Sequence, residues 1–297
     1  MMRWWLVAIW FIVGGVASND VSAGAGDIEQ FIADLEQQVG GRVGVAALDV
    51  AAGTEWKYRA NELFPMMSTF KPLACAQMLT LGEQGSLEPN TVIPILETDL
   101  VPYAPATSQL VGGPGLTLME LCEVTLRTSD NVAANLILRE TGGPSALTNF
   151  VRTFGDQTTR LDRWEVELNE ATPGDPRDTT TPSAMVSLLK KLLLEDGLRP
   201  FAQSQLILWM KANAVSDGLL RSTLPAGWTI ADRSGAGQNG SRAISGIVWD
   251  ADDAPIIVTV YITEAKVGMP ELNKAIAQIG NQIFRAASAN QHGQNAN

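Results

Sequence analysis

Two short segments carry side chains whose types and spacing suit acyl transfer. Ser68 stands three residues before Lys71, and Ser129 opens a Ser-Asp-Asn triplet. A hydroxyl near neutral pH is a weak nucleophile unless a base lies beside it. The single histidine, His292, falls in a polar C-terminal stretch, which excludes a Ser-His-Asp triad. If Ser68 is a nucleophile, its proton must therefore pass to a lysine or a carboxylate.

The Ser-x-x-Lys pattern alone is a weak signal, because it should occur about once by chance in a chain of this length. A second match, Ser187 with Lys190, lies inside an apolar run and is predicted to be ordinary helix surface. Ser68 instead stands at a loop-to-helix junction, where unpaired N–H groups and the helix dipole favour a developing anion. One helical turn places Lys71 beside Ser68, so its amine can take the proton if its surroundings lower its pKa.

A third segment, Arg233-Ser234-Gly235-Ala236, ends a predicted strand. A glycine at a strand edge lets the backbone of a ligand approach closely. These residues are therefore candidates for substrate binding.

Composition removes several classes of function. The net charge of −11 and the lack of a basic cluster with interleaved aromatic residues argue against nucleic-acid binding. One histidine and two cysteines are too few for a catalytic zinc site, which needs about three such ligands. A magnesium site made only of carboxylates stays formally open, but no spacing suggests one. We predict no metal, no cofactor, a small-molecule substrate and a monomer.

The N-terminal segment is typical of a secretory signal peptide. A positively charged start precedes an apolar run from Trp4 to Val13, and small residues follow. Cleavage after Ala17 or Ala23 fits the small-residue rule, so residues 1–23 are assigned to the signal. The apolar run is shorter than the roughly 20 residues of a transmembrane helix, which disfavours a permanent anchor. We predict a periplasmic protein with no membrane contact after cleavage.

Export changes the interpretation of Cys75 and Cys122, the only two cysteines. Paired thiols that enter an oxidising compartment commonly form a disulfide. Two buried free thiols are the alternative, because free cysteine is often buried.

Hydrophobic periodicity gives strands at both ends of the chain and helices in its centre. The N-terminal part is predicted to form a helix over 27–37 and a strand over 43–47 with a hairpin partner around 56–58. The central part is predicted to form helices that start near Ser68, at the Thr117 capping box, after Asn131 (ending at Gly142) and at Pro182 (ending at Gly197). The C-terminal part is predicted to form strands at 228–230, 246–249 and 256–262 and a last helix over 276–284.

The economical architecture is an α/β fold of the α+β type. One antiparallel sheet built from both chain ends is covered by the terminal helices, and an all-helical domain is inserted between them. We place the α/β domain at 24–66 and 215–288, the helical domain at 67–214, and a disordered tail at 289–297.

With Ser-x-x-Lys, Ser-Asp-Asn and a basic-hydroxyl-glycine triplet in this order, the chain resembles the penicillin-recognising serine enzymes. The segment from Arg163 to Asn169 looks like the omega loop of class A β-lactamases, and Arg163 with Asp178 matches the ion pair that closes it. Cys75 and Cys122 match a disulfide found in part of that family. The resemblance runs along essentially the whole mature chain and implies the fold shared by β-lactamases and penicillin-binding transpeptidases.

The resemblance implies a role for each matching catalytic residue. Ser68 would be the nucleophile, Lys71 its partner, and Ser129 the proton donor to the departing lactam nitrogen. Glu165 and Asn169 would hold the hydrolytic water. Whether Lys71 or Glu165 through water takes the proton during acylation is unsettled for this class.

The same match implies substrate-binding residues, namely Tyr103, Asn131, Asn169, Arg233, Ser234, Gly235, Ala236 and Arg242. Asn131 would bind the substrate's side-chain amide. Backbone N–H groups of Ser68 and Ala236 would form an oxyanion hole, worth about 10²- to 10³-fold per donor. Ser234 and Arg242 would complete the carboxylate-binding side of the pocket.

Two of these assignments have a plain alternative. Most Glu-x-Glu pairs, such as Glu165 and Glu167, are solvated loop carboxylates, although the flanking omega-loop residues argue against that here. Arg242 has the alternative of being a solvated strand arginine.

Arg233 departs from most of the family, which has lysine at this position. Arginine keeps the charge and offers a planar fork for carboxylates. The Arg-Ser-Gly triplet resembles that of the carbenicillin-hydrolysing penicillinases. We therefore predict that Arg233, beside Ser234, binds one carboxylate bidentately and that carboxypenicillins are substrates.

The sequence thus predicts a secreted class A β-lactamase that opens the penicillin ring through an acyl-enzyme on Ser68 and Glu165-assisted deacylation, conferring β-lactam resistance. A penicillin-binding D,D-peptidase is the alternative enzyme, but it lacks the deacylating loop glutamate. A β-lactam sensor domain is the alternative from another class, but it would normally be tethered to a membrane.

Overall fold

The computed structural model describes residues 25–294, so the predicted signal segment lies outside the described residues. In this part of the chain, five strands form an antiparallel sheet in the order β2-β1-β9-β8-β7. The strands are β1 (Arg42–Asp49), β2 (Thr54–Tyr58), β7 (Thr229–Gly237), β8 (Ser241–Trp249) and β9 (Pro255–Thr263). The α/β architecture with a sheet made from both chain ends is therefore confirmed.

Two further pairs of very short strands fasten the connecting segments. β3 (Phe64–Pro65) pairs with β6 (Thr179–Thr180), and β4 (Val92–Ile93) pairs with β5 (Leu116–Thr117). Because β3 leads directly toward Ser68 and β6 follows Asp178, the first pair joins the Ser68 segment to the neck of the predicted omega loop.

Eight α-helices accompany the sheet within the described residues. They are α1 (Ala25–Val39), α2 (Lys71–Glu83), α3 (Leu118–Thr128), α4 (Asn131–Glu140), α5 (Gly143–Arg152), α6 (Pro182–Leu193), α7 (Pro200–Lys211) and α8 (Met269–Gln294). No helix among them is long and apolar enough to cross a membrane.

The sheet separates two apolar cores. On one face, α1 and α8 bury residues such as Ile32 and Ile276 against the strands. On the other face, α2 lies among α3, α4, α5 and α7, and its residues 71–79 are all buried. A helix that is apolar on every side belongs in the centre of a domain. Its first residue, Lys71, is consequently removed from bulk solvent.

Most predicted elements are confirmed, and the differences have local causes. α5 was missed because Gly142-Gly143 indicates a helix end, whereas Gly143 and Pro144 also start the next helix. α7 was missed because its apolar residues do not concentrate on one face. α6 ends at Leu193, before Gly197.

The disordered tail predicted for 289–297 is wrong up to residue 294, because α8 continues to Gln294. Buried Ala286 and Ala287 anchor this end of the helix in the apolar core. Asn290 donates a hydrogen bond from Nδ2 to Thr54 Oγ1 on β2 (3.4 Å), which ties the last turns to the sheet.

Candidate active site

Ser68 lies in a short 3-10 helix, Met67–Phe70, immediately before α2. Met67 has a positive φ of 49°, a rare conformation for a residue with a side chain. A Cβ on Gly235 would lie 3.0 Å from the Ser68 nitrogen and 2.9 Å from Met67 Cβ, so β7 can approach only because this residue is glycine. The close neighbour of Gly235 is thus the protein's own Ser68 segment, while the approach of a ligand backbone to this strand edge stays a prediction.

Lys71 is a fully buried amine surrounded by acceptors. Its Nζ donates to the Ser129 carbonyl oxygen and to Asn131 Oδ1, both at 2.8 Å, and contacts Ser129 Oγ at 3.3 Å. Glu165 Oε1 lies 3.0 Å from Nζ. Burial lowers the pKa of Lys71 to about 8, and repulsion from Arg233 adds to the lowering, whereas Glu165 raises it.

The link between Lys71 and Ser68 runs through a third residue, whereas the sequence predicted only that Lys71 lies beside Ser68 and can accept or relay its proton. In the described chain no hydrogen bond joins Lys71 to Ser68. Ser129 Oγ instead donates to Ser68 Oγ at 3.0 Å and lies 3.3 Å from Lys71 Nζ. Ser129 therefore bridges the two residues, because the αL conformation at the end of α3 (φ 66°) turns its hydroxyl toward both.

Asp130 organises the Ser-Asp-Asn segment, a role that the sequence analysis missed. This buried carboxylate caps α4 and accepts hydrogen bonds from Ala106 N, Thr107 N and Thr107 Oγ1. Asn131 holds the same loop through a bond from Nδ2 to Pro102 O at 2.9 Å. Tyr103 follows and is largely exposed at the mouth of the cavity. An aspartate before a helix was the available signal.

The predicted ion pair at the neck of the omega loop is confirmed. Arg163 Nε donates to Asp178 Oδ2, and the Asp178 carboxylate also accepts the backbone N–H groups of Asp162 and Arg163. Asp178 is fully buried, and an unpaired charge there would be costly. The pair therefore closes the loop that carries Glu165.

Glu165 is buried rather than solvated, which excludes the loop-surface alternative, while Glu167 is exposed. The peptide bond after Glu165 is cis. Asn135 fixes the Glu165 backbone from both sides, because its Nδ2 donates to Glu165 O and its Oδ1 accepts from Glu165 N, each at 2.9 Å. Asn169 Nδ2 donates to Glu165 Oε2. Both carboxylate oxygens therefore face catalytic-site groups.

Asn135 was missed by the sequence analysis, although a signal existed. It follows Asn131 by four residues and so lies on the same face of α4, a helix whose other residues are mostly buried and apolar. Two asparagines on one buried face require polar partners, and here these are Lys71 and Glu165.

Arg233 is buried and held by three uncharged oxygens. Nε donates to Ser234 O at 3.0 Å, and Nη1 donates to Leu126 O at 3.1 Å and to Asn213 Oδ1 at 3.0 Å. Burial lowers the pKa of Arg233 to about 10. The predicted bidentate contact is wrong for this orientation, because two of the three nitrogens already serve the protein and only Nη2 is left for a ligand.

Arg242 stands on the neighbouring strand and is not the solvated arginine of the alternative interpretation. Nε donates to Asn273 Oδ1 at 2.8 Å and Nη1 donates to Gly235 O at 3.0 Å. Burial lowers its pKa to about 10. Ser234, between the two arginines in the pocket, donates to Val215 O at 3.3 Å.

The tip of β7 is tied to the omega loop. Gln238 N donates to Asn169 O at 2.9 Å, and a Cβ on Gly237 would lie only 2.8 Å from the same oxygen. The strand and the loop therefore touch through their backbones.

These residues surround one cavity of about 440 Å³, a volume that suits a drug-sized ligand. Its predicted lining residues are Ser68, Tyr103, Ser129, Asn131, Asn169, Arg233, Ser234, Gly235, Ala236 and Arg242. Lys71 and Glu165 lie beneath this surface. Pro102, Val166, Val215 and Met269 also line it and were not predicted, because apolar wall residues leave no chemical signature in sequence.

Cys75 on α2 and Cys122 on α3 form a disulfide with a Cα–Cα distance of 5.7 Å, as predicted. Because α2 begins with Lys71 and α3 ends beside Ser129, the bridge links the two helices that place these candidate catalytic side chains. Among the described residues, no group of three or more His, Cys, Asp or Glu side chains is arranged to hold a metal ion.

Comparisons with known proteins agree with this geometry. A family model described as the beta-lactamase enzyme family matches residues 27–287. The chain is 48% identical over 257 residues to the β-lactamases CARB-3 and PSE-4 of Pseudomonas aeruginosa, covering 86% of this chain and 89% of each relative.

Solved structures give the same result. The chromosome-encoded β-lactamase of Vibrio parahaemolyticus is similar with a TM-score of 0.85 and 45% identity, covering 86% of this chain and 97% of that one. An ancestral class A β-lactamase (GNCA) has a TM-score of 0.85 and 47% identity, covering 87% and 99%. The chain belongs to the class A β-lactamases, serine hydrolases that act on penicillins.

Proposed function

We propose that the protein is a secreted penicillinase that works through an acyl-enzyme on Ser68 and accepts carboxypenicillins. One observation carries the proposal: Glu165 is buried at the same cavity, with one carboxylate oxygen 3.0 Å from Lys71 Nζ and the other bonded to Asn169 Nδ2. A carboxylate held in this way can activate a water against an ester on Ser68.

In acylation, the Ser68 oxygen attacks the lactam carbonyl and loses its proton to a base. The backbone N–H groups of Ser68 and Ala236 stabilise the oxyanion. Lys71 Nζ donates to Ser129 O and Asn131 Oδ1 and reaches Ser68 only through Ser129 Oγ. This geometry favours transfer of the Ser68 proton through a water molecule to Glu165.

Cleavage of the C–N bond then requires a proton on the lactam nitrogen. Ser129 Oγ is the donor, and protonated Lys71, 3.3 Å away, replaces that proton. Asn131 Oδ1 accepts a hydrogen bond from Lys71 Nζ and so keeps the amine in place.

For deacylation, Glu165 first returns the proton it took in acylation to Lys71, 3.0 Å away, which restores the carboxylate and the ammonium. Water held by Glu165 and Asn169 then gives a proton to Glu165 as its oxygen attacks the Ser68 ester. That proton passes to the Ser68 oxygen as the ester C–O bond breaks, which releases the opened penicillin and regenerates the enzyme.

The opposite end of the cavity is suited to anions. Arg233 and Arg242 both line it, and both are held by amide or carbonyl oxygens rather than carboxylates. A second carboxylate on the substrate therefore meets an excess of positive charge. The relatives CARB-3 and PSE-4 add support only through their overall similarity.

The signal-like segment 1–23 supports export to the periplasm, where hydrolysis would protect the cell from β-lactams. The five-stranded sheet built from both chain ends supports the division into an α/β domain (24–66 and 215–288) and a helical domain (67–214). One apolar core joins the two, because it contains helical residues such as Leu73 and sheet residues such as Ile247. N-terminal sequencing of the exported protein tests the cleavage site after Ala17 or Ala23.

Purified mature protein should hydrolyse penicillin with many turnovers and show a penicilloyl mass adduct only transiently. Ser68→Ala is the control and should show neither. A stable adduct with no turnover would identify a D,D-peptidase or a sensor domain and overturn the proposal.

A further inference from the structure

Arg233, like its neighbour Arg242, differs in its partners from three other cations that are buried or partly buried. Lys71 has Glu165, Arg163 has Asp178, and Arg221 has Asp232, each within ion-pair distance. Among residues 25–294, no carboxylate oxygen forms an ion pair with Arg233, although Asp232 exerts a longer-range attraction. Its side chain is nevertheless held firmly, so a neutral group must do the holding.

Asn213 supplies the one side-chain acceptor among the three uncharged oxygens that hold Arg233, and its amide orientation is fixed. It is almost fully buried, and Oδ1 accepts from Arg233 Nη1 (3.0 Å) and Val215 N (3.2 Å). Nδ2 donates to Ser216 Oγ (2.9 Å) and Asp232 Oδ1 (3.3 Å). The carbonyl thus faces the cation while the NH₂ faces the anion, which a carboxylate could not do.

Asp232 already has a cation of its own in Arg221. Arg221 donates to Asp232 Oδ1 from Nη2 (2.6 Å) and from Nε (3.0 Å). Asn213 therefore separates a neutralised pair, Asp232 with Arg221, from a cation that has no carboxylate of its own.

We propose that Asn213 is a specificity-determining positioning residue, which orients Arg233 through an uncharged acceptor and so reserves its positive charge for substrate carboxylates. This inference rests on the proposed penicillinase function. An aspartate at the same position would orient Arg233 equally well but would neutralise it, because opposite charges at hydrogen-bond distance attract strongly in a partly buried site. Binding of dianionic penicillins should depend most on this neutrality.

The test is Asn213→Asp, which keeps the shape of the side chain and adds one charge. We expect the KM for ampicillin to rise about tenfold and that for carbenicillin several-fold more, with kcat changed less than about threefold. The increase of the carbenicillin KM with salt should be weaker than in the wild type. Asn149→Asp, on an exposed position that lines a different surface cavity, adds the same charge and should change neither KM.

A carboxylate beside Asp232 can prevent folding, so the exchange variant Asn213→Asp/Asp232→Asn is the second test. This variant keeps the total charge and exchanges the positions of the amide and the carboxylate. The KM for carbenicillin should again rise more than the KM for ampicillin. Circular dichroism establishes that each variant is folded. Equal losses of kcat for both substrates at unchanged KM, or KM values within twofold of wild type, would overturn the inference.

Failure of the proposed function gives a different result. Wild-type protein that forms no transient adduct on Ser68 contradicts the penicillinase mechanism itself. Wild-type protein that hydrolyses both penicillins, together with folded Asn213→Asp variants of unchanged KM, contradicts only the role of Asn213.

Discussion

Lys71 and Arg233 are both buried cations at one cavity, but their surroundings are opposite. Lys71 lies 3.0 Å from the Glu165 carboxylate and has a pKa lowered to about 8. Arg233 is held by three neutral oxygens, and its pKa of about 10 leaves it charged at any working pH. A titrating cation beside a carboxylate suits proton transfer, whereas a permanent cation beside amides suits charge binding.

The largest expected effect comes from removing Glu165, the carboxylate beside Lys71. Glu165→Ala removes the base for deacylation, so turnover should fall by about 10³-fold or more while Ser68 is still acylated. Mass spectrometry after penicillin treatment should show a stable penicilloyl adduct. Glu167→Ala, two residues away and exposed, is the matched control and should turn over normally. Near-normal turnover without adduct in Glu165→Ala would show that the assignment is wrong.

The second prediction uses the pH dependence of acylation to test whether Glu165 or Lys71 takes the Ser68 proton. If Glu165 takes the Ser68 proton, wild-type acylation should not fall between pH 8 and 6, although Lys71 becomes protonated in that range. In Glu165→Ala only Lys71 can act, so acylation should rise about tenfold per pH unit up to the Lys71 pKa. Loss of the Glu165 charge lowers that pKa below about 8. Stopped-flow acylation rates measure both profiles. A wild-type profile that rises tenfold per unit would assign the proton to Lys71.

The third prediction tests the Arg233 end. Arg233→Lys cannot reach Leu126 O, Asn213 Oδ1 and a substrate carboxylate together. The kcat/KM for carbenicillin should fall more than that for ampicillin, by about 1 to 2 kcal/mol in transition-state free energy. Arg177→Lys, on the exposed surface, is the control. Steady-state kinetics with both penicillins is the measurement, and an unchanged ratio contradicts a role for Arg233 in selecting dianions.

The smallest effect on chemistry is expected for the disulfide. Replacing Cys75 and Cys122 by alanine should lower the free energy of unfolding by up to about 4 kcal/mol in the chain-entropy model. Because hydrogen bonds and packing also position Lys71 and Ser129, kcat should change little. Thermal unfolding and penicillin kinetics measure the two effects. An unchanged free energy of unfolding would contradict the stabilising role of the disulfide. A tenfold lower kcat in folded protein would show that the disulfide also positions the site.

Much of the catalytic end could be predicted from sequence, because serine, lysine and glutamate at fixed spacings indicate their chemistry. The supporting amides were harder to predict. Asn135 had a signal only in its spacing from Asn131 on α4, and Asn213 had none, because each acts on a residue that is distant in the chain, Glu165 and Arg233 respectively. The relay through Ser129 was likewise hidden, since helical spacing predicts that Lys71 is near Ser68 but not which hydroxyl lies between them.

The contact between β7 and the omega loop has an evolutionary consequence. The backbone bond from Gln238 N to Asn169 O joins the end of β7 to the omega loop beside the cavity, and the Asn169 side chain holds Glu165. Under the proposed mechanism, any change that moves the strand away to admit a bulkier antibiotic also displaces the residue that supports the Glu165 carboxylate. A broader drug spectrum in this enzyme should therefore be accompanied by slower release of product, and selection for both requires a second substitution that restores the Asn169 position.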